Sequence, residues 1–377
     1  MIYDYLIVGA GLAGSVLAER IAKVLNKRVL VIDKREHFAG NCYDYIDEFG
    51  VLIHKYGPHA FHTNSNKVWE YLGQFTEWNQ YEHRVLAEID GQNVPVPFNL
   101  TSLKLLFPVE YAEKMENMLL EKFGYGKKIP ILKLRAMGDP SLTELADYIY
   151  DKVFLGYTIK QWDLQPEELD ESVTSRVPVF ISADDRYFQD EHQAIPLNGY
   201  TNMIKNILDN ELIEVRLNTE FKDLSADIKY DKLIFTGALD EFYNYRFGEL
   251  DYRSLRFDFV NYQKEFFQEI GQLNFPNDFD YTRITEFKYM THQKTDSTTV
   301  AYEYPEKFEN SKNERYYPIP REESQVVYRK YAELAAQEKN IYFIGRLPEY
   351  KYYNMDAIVI AALNLFESKL AKKNNRA

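Results

Sequence analysis

Gly9, Gly11, Gly14 and Asp33 have the residue types and the spacing to hold a dinucleotide. Gly9 allows a sharp turn out of a strand, and Gly11 leaves room for a pyrophosphate. Gly14 lets the next helix pack closely on the sheet. Asp33 follows the last glycine by roughly 20 residues, where an acid accepts the ribose hydroxyls of an adenosine. Leu12 opens the helix and Lys34 follows the acid, so both are counted with the cofactor contacts. These residues need a strand, a helix and a second strand to position them, and all three are legible. Tyr5-Leu6-Ile7-Val8 reads as a buried parallel strand, and Val29-Leu30-Val31-Ile32 reads as its neighbour. Between them Val16, Leu17, Ile21, Ala22 and Leu25 form an apolar stripe at helical spacing. The helix start then faces the phosphates with unpaired N–H groups and the positive end of its dipole.

Further along, Val85 to Val96 has two strand-like runs around Asp90-Gly91, a hairpin signal. Helical patterns dominate from Thr101 to Trp162, including an amphipathic stretch at Tyr111–Leu120. Ser141-Leu142-Thr143-Glu144 has the form of a capping box ahead of a helix from Leu145 to Phe154. Asp163 to Glu191 is polar and acidic and is expected to be a loop able to move. A helix near Tyr200–Asn210 follows, then strands at Glu214–Leu217 and Lys232–Phe235, the latter ending in Thr236-Gly237. Alternating side chains from Leu250 to Tyr304 predict antiparallel strands in a second, smaller sheet. Ile341–Gly345 reads as a strand, and Met355–Leu370 as a helix that completes the cofactor domain.

The expected class is therefore α/β. A Rossmann-like cofactor domain is assembled from 1–78, 194–247 and 320–377; a helical insertion occupies 100–168; an antiparallel sheet domain for substrate takes 79–99, 169–193 and 248–319. At 377 residues, two or three domains are the prior. No run of about 18 apolar residues occurs and no basic-then-apolar leader opens the chain, so neither a membrane span nor a secretion signal is expected, and a cytoplasmic location is. Cys42 is the only cysteine, which excludes an intramolecular disulfide and a cysteine zinc site. A net charge of −13 disfavours nucleic acid. An anionic small substrate would need its own basic pocket, so individual arginines matter. His54, His59 and His62 lack a cysteine or nearby carboxylate to complete a metal site, and Gly57-Pro58 breaks any helix that would align them; no metal is expected.

Three further blocks stand out: Lys55-Tyr56-Gly57-Pro58-His59-Ala60-Phe61-His62-Thr63, Gly156-Tyr157-Thr158-Ile159-Lys160-Gln161-Trp162, and Tyr281-Thr282-Arg283-Ile284-Thr285-Glu286. With Arg176-Val177-Pro178, Asp185-Arg186-Tyr187-Phe188, Gly199-Tyr200-Thr201, Tyr316-Tyr317-Pro318, Gly345-Arg346-Leu347 and Tyr350 to Asp356, the chain resembles the bacterial UDP-galactopyranose mutase family nearly end to end.

The resemblance implies non-covalent FAD, active when reduced, in an enzyme that interconverts UDP-galactopyranose and UDP-galactofuranose with no net redox change. Flavin N5 attacks the anomeric carbon, and the nucleotide diphosphate is released and recaptured. The same chemistry on UDP-N-acetylgalactosamine or dTDP-fucose is the nearer alternative, and a flavin oxidoreductase of the amine-oxidase or hydroxylase type the more distant one. An electron donor of unknown identity, a homodimer and a role in cell-surface polysaccharide synthesis are also implied. By resemblance, Arg176 and Arg283 grip the diphosphate, as bidentate guanidinium groups suit, and Arg176 swings in as its loop closes. Tyr187, Tyr317 and Tyr352 donate to the same phosphates, Tyr157 stacks on the base, Trp162 walls the sugar pocket, and Thr158 and Asn274 sit by the nucleoside. His62 lies beside the flavin and shapes N5 reactivity, and His59 lies near flavin and sugar. Asn41, Gly237, Arg346, Met355 and Asp356 are further flavin contacts. The helix from Met355 would point its positive end at the flavin. Taken singly, each of these tyrosines and histidines also has an ordinary core reading.

The chain departs from the family pattern at several positions. Ala39 and Asp163 stand where glycine is usual, Val153 where a larger apolar residue is, His83 where Asn is common and Asn354 where Asp is. Together these changes leave the sugar and base open.

Overall fold

The N-terminal apolar run is buried because it lies at the middle of a parallel sheet, with strands on both sides. A computed structural model describes residues 2–169, 177–319 and 321–371. In it β1 (Ile2–Val8) pairs in parallel with β2 (Val29–Ile32) and with the Lys229–Phe235 strand. Ile213–Arg216 and Ile341–Phe343 close the two edges. α1 (Leu12–Leu25) crosses one face, burying Val16, Leu17, Ile21 and Ala22. The helices Gly199–Leu208 and Met355–Leu365 lie on either side of it. Each fully buried Leu, Ile or Val contributes about 1.5–3 kcal/mol, so this core anchors the cofactor end of the molecule.

Among the described residues the Leu250–Tyr304 strands belong to a seven-stranded sheet, larger than the five-stranded parallel one, which corrects the expectation of a smaller second sheet. Its size comes from the Val85–Ile89/Gln92–Val96 hairpin, which joins at the Gln272–Asn274 strand. That junction is parallel, so the sheet is antiparallel elsewhere but not throughout. A second core lies between this hairpin and the helices Val109–Phe123 and Pro140–Ile149.

The capping expectation at Ser141 is also corrected. Asp139 is the N-cap, its carboxylate accepting from the backbone of Ser141 and Leu142, and Pro140 takes the first helical position. The helix runs from Pro140 through a wider π turn at Tyr150–Leu155 into Gly156–Trp162. A π turn shifts the facing of the residues that follow; here it buries Val153 and Phe154 and puts Tyr157 and Trp162 on a rigid element. No helix of the described residues is long and apolar enough to cross a membrane.

Candidate functional site

Where the parallel sheet, the long bent helix and the seven-stranded sheet meet, they enclose a cavity of about 330 Å³. Its wall brings together Asn41, His59, His62, His83, Tyr157, Thr158, Trp162, Tyr187, Asn274, Arg283, Tyr317, Arg346, Tyr352, Asn354 and Met355, all expected at the site from sequence. Arg176 lies outside the described residues.

Among the described residues two arginines line the cavity, Arg283 and Arg346, and Arg283 is the one held by a carboxylate. Its Nε and Nη2 both reach Oε2 of Glu303, at 2.7 and 2.6 Å. Burial is the largest single effect and opposes its charge, but the Glu303 carboxylate together with Tyr157 and Tyr317 outweighs it and holds the pKa above the ordinary guanidinium value. Tyr317 and Tyr352 stack 5.1 Å apart, and the Arg346 guanidinium sits over both rings while donating to the carbonyls of Tyr316 and Tyr353. Burial raises the pKa of Tyr157 and Tyr317, so both keep their phenolic protons as donors. A cluster of hydroxyl donors around a fixed guanidinium suits a diphosphate.

His62 lines the cavity with its ring stacked on Phe188, centroids 3.6 Å apart. Its Nδ1 lies 2.9 Å from an Asp190 carboxylate oxygen and donates to it, which leaves Nε2 as the ring nitrogen not engaged by that acid. His59 donates from Nδ1 to the Gly57 carbonyl; burial, then neighbouring His54 and the positive Arg346 and Arg283, push its pKa down to about 3. His83 is held neutral in the same way, also at about 3.

The dinucleotide residues line up beside this cavity. Gly9 turns with φ +108°, and a Cβ there would lie 2.0 Å from Thr236 Oγ1. At Gly14 a Cβ would strike the Gly9 carbonyl at 2.0 Å. Gly11 differs: a Cβ would meet only Gly40 Cα, at 3.7 Å, so the protein itself does not require glycine there. An open cradle at the start of a 14-residue helix whose N-cap makes no side-chain bond fits a pyrophosphate. Asp33 accepts from Ala10 N and Arg35 N, one bond per oxygen, keeping a lone pair on each for ribose hydroxyls. Lys34 is exposed beside it, and Leu12 is buried at the helix start. Gly237 follows the Lys229–Phe235 strand at the sheet's end. Asp356, in the first turn of the Met355 helix, accepts from Thr63 Oγ1 and so ties that helix to the His62 strand.

A family model described as UDP-galactopyranose mutase matches residues 152–352, and one for an NAD(P)-binding Rossmann-like domain matches 7–75. A probable UDP-galactopyranose mutase of Klebsiella pneumoniae is 36% identical over 99% of this chain and 96% of its own. The chain belongs to the UDP-galactopyranose mutase family. A dTDP-fucopyranose mutase of Escherichia coli is 32% identical over 98% of this chain and 99% of its own. The crystal structure of a reduced UDP-galactopyranose mutase shares the fold with TM-score 0.73 at 16% identity, covering 98% of this chain and 96% of that one.

At two departures from the mutase pattern the backbone shows why glycine is usual. Ala39 sits at φ +74° and Asp163 at φ +57°, where glycine carries no penalty and another residue costs about 1–2 kcal/mol. Asp163 ends the Gly156–Trp162 helix in the left-handed conformation that favours glycine at that point. Sequence reasoning missed Glu303, Asp190 and Gln272. Glu303 and Asp190 are single acids in ordinary-looking strands and loops, and only strand pairing sets them against Arg283 and His62.

Proposed function

We infer that the chain is a flavin-dependent UDP-galactopyranose mutase, an isomerase that interconverts UDP-galactopyranose and UDP-galactofuranose. The observation that carries this reading is Arg283, buried with Glu303 among hydroxyl donors in a cavity that reaches Asn41, Arg346 and Met355 on the cofactor side. A neutral amine or aromatic substrate would have no use for that cation. FAD is the cofactor, and when bound and reduced it supplies a nucleophile at N5. Gly9, Gly11, Leu12, Gly14, Asp33 and Lys34 would hold its adenosine and pyrophosphate. Asn41, His59, Gly237, Arg346, Met355 and Asp356 would hold the flavin.

The chain's own groups do the rest. Arg283, with Arg176, Tyr187, Tyr317 and Tyr352, holds the diphosphate and takes up its negative charge as the glycosidic bond breaks. Tyr157 and Trp162 wall the base and sugar, and His83 and Asn354 sit at their edges. His62, with Nδ1 committed to Asp190, offers Nε2 toward the flavin side. The domain division at 1–78/194–247/320–377, 100–168 and 79–99/169–193/248–319, an unidentified electron donor, a homodimer and a cytoplasmic location belong to the same reading.

dTDP-fucose is the second candidate substrate, favoured by the 32% identity to the fucopyranose mutase. The test is to incubate dithionite-reduced protein with UDP- and dTDP-sugars and resolve products chromatographically. Exchange of UDP-galactose only in the reduced state is expected. Turnover that consumes oxygen and yields peroxide would overturn the reading.

A further inference from the structure

Tyr81, His83, Gln272 and Asn274 form a chain of side chains that runs from the protein interior to the cavity. Tyr81 and His83 lie just before the Val85–Ile89 strand. Gln272 and Asn274 project from one face of the strand paired with it. The Tyr81 hydroxyl is 3.0 Å from His83 Nδ1, and Gln272 Nε2 donates to Asn274 Oδ1 at 3.0 Å. The Gln272 amide works against burial at His83, raising its pKa as an acceptor of the ring's N–H would. Tyr81 is buried behind the wall, whereas the largely buried His83 and Gln272 and the more open Asn274 all line the cavity.

The polarity of this chain follows from its buried end. Among the described residues Tyr81 Oη has one polar partner, so its proton must go to His83 Nδ1 or be left unmatched in the interior. With Nδ1 accepting, the neutral imidazole carries its proton on Nε2 and donates to Gln272 Oε1. That leaves the Gln272 amide nitrogen to donate to Asn274 Oδ1. Asn274 therefore has its oxygen engaged behind it, and its NH₂ is the group turned to the cavity. A neutral His83 is required throughout, and burial beside Arg283 keeps it so.

Asn274 stands directly across from Arg283 in the strand register. The same cavity is walled by Val153, Phe154, Tyr157 and Pro276, an apolar slot for a planar ring. We propose that Tyr81, His83 and Gln272 are positioning residues that fix Asn274 as a hydrogen-bond donor to the 4-position of the base, so that the site selects a nucleotide with a carbonyl there, uracil, over one with an amino group there, cytosine. Two facing donors would exclude the cytosine edge, and a buried polar group discriminates strongly against such a partner. The inference rests on a nucleotide-sugar substrate and goes beyond it by assigning how the base is read.

The test is titration of the flavin-loaded protein with UDP and with CDP, alongside the sugar-exchange assay. Wild type is expected to bind UDP at least tenfold more tightly than CDP. Gln272→Glu can accept from both His83 and Asn274, which turns the Asn274 oxygen toward the cavity. Its UDP-over-CDP preference should fall at least tenfold or invert, while any added charge repulsion acts on both nucleotides alike. Gln272→Leu frees the Asn274 amide to rotate and should bring the ratio near unity; it serves if the Glu variant fails to load flavin. An unchanged ratio in a flavin-loaded variant, or no UDP preference in a wild type that still exchanges UDP-galactose, overturns the relay alone. A wild type that binds neither nucleotide and exchanges no sugar overturns the mutase reading with it.

Discussion

Arg283 and Glu303 face each other across two strands, and their pairing links stability to function at a single point. Glu303 is 2% exposed at its side chain and Arg283 18%, so neither charge is well solvated. Both bonded nitrogens of Arg283 go to one carboxylate oxygen, and among the described residues Nη1 has no hydrogen-bond partner, which leaves it for a phosphate oxygen. Arg283→Ala should abolish exchange with FAD still bound and strand a buried carboxylate, at a cost of about 3–5 kcal/mol. Adding Glu303→Gln should restore most of that stability without restoring exchange. Urea midpoints and product chromatography on the three variants check this, and a double variant no more stable than the single one would count against the pairing. Arg283 was legible in the sequence because its block is specific. Glu303 was not, because an acid between two tyrosines shows its partner only when the strands are in register.

At the scale of elements, the first turn of α1 separates two demands that one glycine pattern merges. The close approach of Gly14 to the Gly9 carbonyl is a packing demand, present with or without a ligand. The open space at Gly11 is a ligand demand. Gly14→Ala is therefore expected to lower the thermal midpoint and lose flavin together. Gly11→Ala should keep a near-wild-type apoprotein midpoint, within about 1 kcal/mol for a poorer N-cap, yet lose most bound flavin. Thermal melts and the flavin-to-protein absorbance ratio distinguish them; an equal loss of stability in both would refute the division of roles. The strand, helix and strand around this turn were readable from periodicity alone. The start of the Pro140 helix was not, because Asp139-Pro140 and Ser141-Leu142-Thr143-Glu144 are both good starting signals, and the earlier one lengthens the helix. The size of the larger sheet was hidden for a different reason. Val85–Ile89 is distant in sequence from its partner Gln272–Asn274, and no local pattern announces a parallel pairing between them.

Across the whole molecule, burial keeps imidazoles neutral in several separate places, and this gives folding a definite response to acid. Burial pushes the pKa of His54, His59 and His83 down to about 3, and lowers that of His37. In the unfolded chain each returns to about 6.5. Below that value the unfolded state binds protons that the folded state refuses, so stability falls as the pH drops from about 6.5 toward 3. Each fully shifted histidine contributes up to about 1.4 kcal/mol per pH unit, and three together up to about 4. Asp44 and Asp240, whose pKa burial raises, act in the opposite sense, but they are two groups against four. Carboxylates of the unfolded chain titrate near about 3.9–4.3, so a comparison between about pH 7.5 and 5.5 lies above them. The urea midpoint of the flavin-loaded protein should therefore be clearly lower at pH 5.5 than at pH 7.5. Replacing His54, whose buried Nε2 has no hydrogen-bond partner among the described residues, by Gln should flatten the slope by about one proton. A midpoint that holds or rises on acidification would mean that these rings are charged in the folded state, which would also remove the neutral His83 on which the base-reading chain depends.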